Sequence, residues 1–193
     1  MTDPKNLKKF LQVSQSEDRR WFNEVTKRIL ALEGKAPFSL SPSETLEVLR
    51  RDYFRLAELL LRAREKQTVK VREAVREAAE SLVLDAMLFH LNFFYPHLFG
   101  LAERRAFQHL LSRMKKTFAA KNADYGGAFR FWGVPGLLVR IGDKYLRLEQ
   151  LAGRGRKRQV KDERIPDTAL DLANYGIMLL MLLAEGRPLK FGE

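Results

Sequence analysis

Hydrophobic positions recur along the chain with the period of amphipathic helices, and the alternation typical of strands is almost absent. Glycine and proline residues lie at most ends of these periodic segments, and Ser41 or Ser43 can cap the second one. The pattern predicts six helices, over about residues 17–32, 44–64, 69–94, 101–120, 137–151 and 166–184.

Two segments interrupt the helical pattern. Residues 121–136, KNADYGGAFRFWGVPG, contain four glycines and a proline, and are predicted to form a turn-rich loop. Residues 152–165 form a short basic connector, so the helices that flank it are expected to pack antiparallel. The chain is therefore predicted to be all-α, a bundle of about six helices with an antiparallel C-terminal hairpin. An N-terminal helical region, residues 1–100, is expected to pack on a second domain, residues 101–193.

Composition narrows the class of protein. Hydrophobic residues make up 46% of the 193 residues, enough for a core, and cysteine is absent. Disulfides, thiolate metal sites and cysteine nucleophiles are excluded, and a cytoplasmic location is expected. The most apolar stretches, residues 82–102 and 176–184, are either interrupted by polar residues or too short to span a bilayer. Both are expected to be buried helices, with no membrane association.

The formal charge of +11 is concentrated in one segment. Residues 101–164 contain 16 Lys/Arg and 6 Asp/Glu, or +10, whereas residues 1–100 carry +3 and residues 165–193 carry −2. Such a segment favours a polyanionic partner, namely a nucleotide, a nucleic acid or an acidic protein. A solvated basic face without a partner is the simpler alternative.

A short internal similarity links the two parts of the chain. The pattern Y-x-R-L-x-x-L begins at Tyr53 and again at Tyr145, and each copy lies in the first helix of a predicted helical hairpin. Four matches among common helix-forming residues arise easily by chance, and an internal duplication is the alternative interpretation.

Polar side chains form one stripe on each of the last two predicted helices. On the fifth helix, the spacing i, i+3, i+4, i+7 places four charged residues on one face: Arg140, Asp143, Lys144 and Arg147. On the last helix, a similar spacing aligns three polar residues beside a tyrosine: Asp167, Asp171, Asn174 and Tyr175. Because the rest of that helix is apolar and expected to be buried, Asp171 and Asn174 need a partner or a ligand.

Two interpretations of these stripes stay open. Carboxylates are ligands that Mg²⁺ prefers, and lysine and arginine, including those of residues 154–158, bind phosphate. Together they are suited to phosphoanhydride hydrolysis, in which the metal neutralises the phosphates and the cations stabilise the leaving group. Opposed acidic and basic stripes also form buried salt-bridge networks without any ligand. Asp167, in the first helical turn, fits a helix-dipole role as well.

The glycine-rich segment contains further candidates. Lys121, Asp124 and Tyr125 precede the pair Gly126–Gly127, which either lets the backbone approach a ligand closely or forms a plain turn. Three nearby aromatic residues either stack on a base or, as is commoner, plug the end of the bundle: Phe129, Phe131 and Trp132. The three histidines have no metal-ligand spacing and are interpreted as packed or surface residues: His90, His97 and His109.

Three runs together resemble the nucleotide modification associated domain 1 family over about residues 115–184. They are KNADYG from Lys121, RIGDKYLRLEQL from Arg140 and VKDERIPDTALDLANY from Val160. The family occurs in phages and bacteria. The resemblance implies that residues 101–193 form a helical domain linked to nucleotide metabolism or DNA-base modification. Residues 1–100 carry no comparable resemblance.

The pattern Asp167-x-x-x-Asp171 is also similar to the acidic helix of MazG-type all-α nucleoside triphosphate pyrophosphatases. Those proteins carry two further glutamates on a preceding helix, where this chain has Asp143 among basic residues. The missing acids would then come from the third helix, which contains Glu73, Glu77, Glu80 and Asp85. Many MazG-type proteins are homo-oligomers, and the resemblance implies the same arrangement here.

The sequence therefore leads to one hypothesis and one alternative. The hypothesis is a Mg²⁺-dependent (deoxy)nucleoside triphosphate pyrophosphohydrolase in which three aspartates are catalytic and bind the metal: Asp143, Asp167 and Asp171. Eight residues would bind phosphate, sugar or base: Lys121, Asp124, Tyr125, Arg140, Lys144, Arg147, Asn174 and Tyr175. The alternative is a non-catalytic helical module that binds nucleotides or nucleic acid.

Overall fold

The computed structural model describes residues 15–32, 40–63, 67–94, 103–125, 127–152 and 165–189. Within these ranges the chain forms six helices and no strand, so the predicted all-α class is confirmed. The helices are α1 (Gln15–Ala31), α2 (Pro42–Ala63), α3 (Val69–Phe94), α4 (Glu103–Tyr125), α5 (Phe129–Ala152) and α6 (Ile165–Ala184).

The start of α2 follows the predicted capping chemistry. The hydroxyl of Ser41 accepts a hydrogen bond from the amide of Glu44 at 3.3 Å, and the Glu44 carboxylate accepts one from the amide of Ser41 at 2.8 Å. This reciprocal pair is a capping box, which satisfies amide groups that have no partner inside the helix. Leu49, Leu56 and Leu60 are buried and form the apolar face of α2.

The predicted loop over residues 121–136 is wrong. The last turn of α4 extends to Tyr125, and α5 already begins at Phe129, so the turn around Gly127 is short. The glycine and proline content instead marks a kink inside α5, where Gly133 has φ 62° and ψ −165° and Pro135 follows. A left-handed φ is accessible to glycine without strain, so the chain changes direction there and resumes as a helix.

The core lies around α3 and α6. Of the 20 residues of α6, 14 are buried, and residues 82–90 of α3 are buried without interruption. The two helices approach so closely that a Cβ atom on Gly176 would lie 2.5 Å from Val83 Cγ2. By length and composition α6 could cross a membrane, but 72% of its most apolar window is buried inside the protein, as in a core helix.

Ion pairs establish the direction of the C-terminal hairpin. Arg130, near the start of α5, pairs with Glu185 just after α6, and Lys144 in the middle of α5 pairs with Asp171 in α6. Pairs that run in opposite directions along the two helices confirm the predicted antiparallel packing. The connector between them, residues 153–164, lies outside the described residues.

Candidate functional site

A pocket of about 350 Å³ lies between α4, α5 and α6. We call it the C-terminal pocket. It gathers five of the residues predicted as site residues: Lys121, Arg140, Asp171, Asn174 and Tyr175. Its apolar wall includes Phe118, Phe129, Leu137 and Met178. One residue of the predicted α5 stripe and three residues of the predicted α6 stripe therefore line one accessible cavity.

The carboxylate of Asp171 lies between two ammonium groups. Lys121 Nζ is 2.9 Å from Asp171 Oδ1, and Lys144 Nζ is 3.2 Å from Asp171 Oδ2. The Asp171 side chain is 24% exposed, and those of Lys121 and Lys144 are 49% and 21% exposed. A partly buried carboxylate is stabilised by such pairing, so the salt-bridge interpretation accounts for Asp171 in this structure. The same arrangement places two cations beside the cavity.

Asn174 is not accounted for in this way. The residue is only 6% exposed, and its Oδ1 atom is buried without a hydrogen-bond partner. A buried carbonyl oxygen without a donor destabilises the fold by about 1–3 kcal/mol. Because Asn174 lines the C-terminal pocket, a ligand that presents an N–H or O–H group there would satisfy it.

The three aspartates predicted to bind Mg²⁺ have different surroundings. Asp143 and Asp167 are exposed and do not line the C-terminal pocket, whereas Asp171 does. The described residues contain no group of three or more His, Asp or Glu side chains that could hold a metal ion. Mg²⁺ binding by Asp143, Asp167 and Asp171 stays a prediction.

Several other predicted phosphate and base contacts lie outside the C-terminal pocket or outside the described residues. Arg147 is half-buried on α5, and Asp124 is exposed at the end of α4; neither lines the C-terminal pocket. The side chain of Tyr125 and the basic residues 154–158 lie outside the described residues. Their predicted roles stay predictions.

The aromatic residues at the start of α5 divide into two groups. Phe129 is 9% exposed and packs edge-on against Phe118, so it plugs the end of the bundle as predicted. Phe131 and Trp132 are 53% and 64% exposed, and for them the plug interpretation is wrong. The two face outwards just before the kink at Gly133, and Trp132 also lines the C-terminal pocket.

A buried ionic cluster beside the pocket was not found from sequence. The Arg130 side chain is fully buried, forms an ion pair with Asp18 of α1, and lies 2.5 Å from Glu185. Asn122 of α4 donates a hydrogen bond to Asp18 at 2.5 Å. These contacts connect α1, the end of α4 and the start of α5, so they position the wall of the C-terminal pocket. No local pattern reveals them, because the partners of Arg130 lie 112 and 55 residues away in the sequence.

The described histidines agree with the packed or surface interpretation. His90 is 2% exposed, and its Nδ1 lies 3.2 Å from the carbonyl oxygen of Pro166. Burial lowers the pKa of His90, which keeps the ring neutral near pH 7. His109 is exposed on α4, and His97 lies outside the described residues.

Most of the C-terminal pocket lies in a segment of the chain that matches a known family model. Residues 121–183 match the family model of nucleotide modification associated domain 1. The match covers about a third of the chain and agrees with the resemblance over residues 115–184. It includes every polar residue that lines the C-terminal pocket except Thr117. No curated protein and no solved structure matches the chain.

Proposed function

We propose that the C-terminal pocket binds a nucleoside triphosphate and that the protein is a pyrophosphohydrolase of (deoxy)nucleoside triphosphates. The observation that carries this proposal is the pairing of Asp171 with both Lys121 and Lys144 at the edge of a cavity that Arg140 also lines. Three cations and one carboxylate at one cavity are suited to binding a polyphosphate. The matched family model, which is named for nucleotide modification, supports a nucleotide as the ligand.

Binding would exchange partners at Asp171. Phosphate oxygens compete with a carboxylate for lysine ammonium groups, so an incoming triphosphate would draw Lys121 and Lys144 away from Asp171. Arg140 would add the bidentate contacts that guanidinium groups make with phosphate. At the inner end, Asn174 would accept a hydrogen bond from the sugar or base, and Trp132 offers an exposed ring for stacking on the base.

The reaction would be attack by water on the α-phosphorus. The α–β phosphoanhydride bond breaks, the nucleoside monophosphate keeps the water oxygen, pyrophosphate leaves and a proton is released. Lys121, Lys144 and Arg140 would stabilise the charge that develops on pyrophosphate. Asp171, released from its lysines, would orient the attacking water or accept its proton. Mg²⁺ bound to the triphosphate would neutralise part of its charge.

The test separates binding from chemistry at one residue. Wild type is incubated with a panel of nucleoside and deoxynucleoside triphosphates and Mg²⁺, and pyrophosphate is measured. In Asp171→Asn we expect at least about a hundredfold loss of turnover, together with unchanged or tighter nucleotide binding, because both lysines are freed. Lys121→Gln should weaken binding, and Lys115→Gln, an exposed lysine on the same helix, serves as the matched control. Equal turnover in wild type and Asp171→Asn would refute the catalytic proposal.

One observation favours a second candidate function, the binding of single-stranded nucleic acid. Phe131 and Trp132 are adjacent, mostly exposed and edge-to-face, with ring centroids 5.4 Å apart. Exposed aromatic rings on a basic segment are a usual platform for stacking on bases. Affinity that falls steeply with salt and is lost in Trp132→Ala would support this function. A salt-independent affinity would count against it.

A further inference from the structure

A second and larger cavity lies in the N-terminal half of the molecule. It has a volume of about 780 Å³, lies between α1, α2 and α3, and shares no residue with the C-terminal pocket. We call it the N-terminal cleft. Its volume is within the range of small-molecule sites. Its polar lining consists mainly of four arginines and four acids: Arg28, Arg51, Arg55, Arg76, Asp52, Glu77, Glu80 and Asp85.

The floor of the cleft is a pair of buried carboxyl groups. Asp52 and Asp85 are neighbours in the lining of the cleft and are 3% and 5% exposed. Burial, followed by the contact with Asp52, raises the pKa of Asp85 to about 8, so Asp85 is protonated at neutral pH. The Oδ2 atom of Asp85 is buried and has no hydrogen-bond partner. Like Oδ1 of Asn174, this buried oxygen belongs to a residue that lines a cavity.

The arginines around the cleft have spare donor capacity. Arg28 and Arg76 each lie 3.0 Å from the same Glu80 carboxylate oxygen, and Arg51 lies 2.9 Å from Asp52. Arg76 also contacts the Glu73 carboxylate through Nε and Nη2, so each of its three nitrogens has a partner. Arg55 is exposed and forms no ion pair with the described residues. A guanidinium has five N–H donors, and the ion pairs formed here occupy only some of them. An anionic group at the mouth of the cleft would therefore meet several guanidinium groups.

Each cavity has an ion pair between the first and the third helix of its half of the chain. In the C-terminal pocket, Lys121 of α4 pairs with Asp171 of α6, and these are the first and third helices of the C-terminal half. In the N-terminal cleft Arg28 of α1 pairs with Glu80 of α3. The rings of Tyr53 and Tyr145 stack with centroids 4.5 Å apart, which joins α2 to α5.

We propose that the N-terminal cleft is a second ligand site, for a small phosphorylated molecule that carries a hydroxyl or amine group. The phosphate would bind to Arg55 and to the remaining donors of Arg28 and Arg51. The hydroxyl or amine would donate a hydrogen bond to Asp85 Oδ2. This site does not depend on the nucleotide chemistry proposed for the C-terminal pocket.

The test uses ribose 5-phosphate as the probe and inorganic phosphate as the comparison, measured by calorimetry on the full chain. All variants carry Lys121→Gln and Arg140→Gln, which remove phosphate contacts from the C-terminal pocket. We expect ribose 5-phosphate to bind in this background, and Arg55→Gln to weaken it about tenfold, as the loss of a charge-assisted contact does. Arg62→Gln, an exposed arginine of α2 outside the cleft, is the matched control and should change nothing.

Two substitutions of Asp85 test the donor contact. Asp85→Asn keeps a neutral group with an acceptor oxygen and should preserve the affinity for ribose 5-phosphate. Asp85→Leu removes the acceptor and should reduce the preference for ribose 5-phosphate over inorganic phosphate. Absence of binding in the background, or equal effects of Arg55→Gln and Arg62→Gln, would overturn the proposal even if Asp85→Leu fails to fold. Neither outcome bears on nucleotide hydrolysis, which is measured in the wild-type background.

Discussion

At the residue scale, Asp171 and Asn174 differ in whether the structure provides partners for their polar groups. Asp171 and Asn174 lie one helical turn apart on the most apolar helix of the chain, and both are polar. Asp171 is stabilised by two lysines, whereas the Asn174 carbonyl oxygen has no partner. A polar group that is kept at a cost to stability inside a core helix is expected to have a role in binding.

We therefore expect Asn174→Leu to separate stability from binding. Leucine has the same number of side-chain heavy atoms and a similar branched shape, and it leaves no unsatisfied carbonyl, so the free energy of unfolding should stay equal or rise by about 1 kcal/mol. Nucleotide affinity should fall, because the donor of the ligand loses its acceptor. Urea unfolding and calorimetry on the same preparations measure both quantities. A large loss of stability with unchanged affinity would contradict this assignment of Asn174.

The carboxyl pair of Asp52 and Asp85 gives stability a defined dependence on pH. Asp85 has a pKa of about 8 in the folded state, against 3.8 as its ordinary value. Between these values the folded chain holds a proton that the unfolded chain has lost, so stability falls as pH rises from about 4 to about 8 and then levels off. The slope should reach at most about 1.4 kcal/mol per pH unit, and it belongs to the pair rather than to one residue.

Chemical unfolding of wild type and Asp85→Asn between about pH 5.5 and pH 8.5 checks this expectation. Asparagine at position 85 cannot titrate, so the difference in unfolding free energy between the two proteins should change across that range in favour of the variant at high pH. A difference that is constant with pH would mean that Asp85 is ionised in the folded protein.

Residue types and spacing predicted much of the candidate site but not all of it. Helical spacing was sufficient to bring Lys144, Asp171 and Asn174 to one side of a hairpin, because periodicity is a local property. Arg130 could not be found in this way, because its burial depends on Asp18 and Glu185, which only the tertiary fold brings together. The exposure of Trp132 follows from the kink at Gly133, and glycine content alone could not distinguish a kink from a loop.

At the scale of elements, the crossing of α3 and α6 holds the two halves of the molecule together. Gly176 lies where the side chain of Val83 presses against the backbone of α6, at 2.5 Å from the Cβ position that another residue would occupy. A β-carbon there forces the helices apart or displaces Val83. Overpacking of this kind in a core costs about 1–3 kcal/mol.

Gly176→Ala should therefore lower the free energy of unfolding by about 1–3 kcal/mol. Val83→Ala should be destabilising by itself, because it leaves a cavity. In the double variant the new methyl group fills part of that cavity, so we expect a smaller loss than the two single losses added together. Strict additivity in denaturant unfolding would show that the two positions do not contact each other.

Helix boundaries were predictable where local chemistry decides them. The bounds of α3 and α6 agree with the prediction to within one residue. Pro96 follows the end of α3, Pro166 lies in the first turn of α6 and Gly186 follows its end, and such start and stop signals are local. The end of α4 and the start of α5 were displaced, because packing of Phe118 against Phe129 and the ion pairs of Arg130 stabilise helical turns that glycine content alone disfavours. Tertiary contacts thus override local preference next to the candidate site.

At the scale of the whole molecule, the C-terminal pocket draws its walls from three helices, of which α6 also forms the core with α3. A ligand bound there stabilises contacts that extend into the N-terminal half, through Gly176 and Val83 on one side and Arg130 and Asp18 on the other. Binding should therefore stabilise the whole fold rather than one hairpin. Thermal unfolding of the full chain can detect this.

With a non-hydrolysable nucleoside triphosphate analogue at about a hundred times its Kd, we expect the free energy of unfolding to rise by about 2.7 kcal/mol. For a chain of this size that corresponds to an increase in Tm of roughly 5–10 °C, in a single transition. Lys121→Gln with Arg140→Gln should abolish the increase, and Lys115→Gln should retain it. An equal increase in all three proteins would place the nucleotide outside the C-terminal pocket. Two separate transitions, of which only one responds, would show that the α3–α6 contact does not couple the halves.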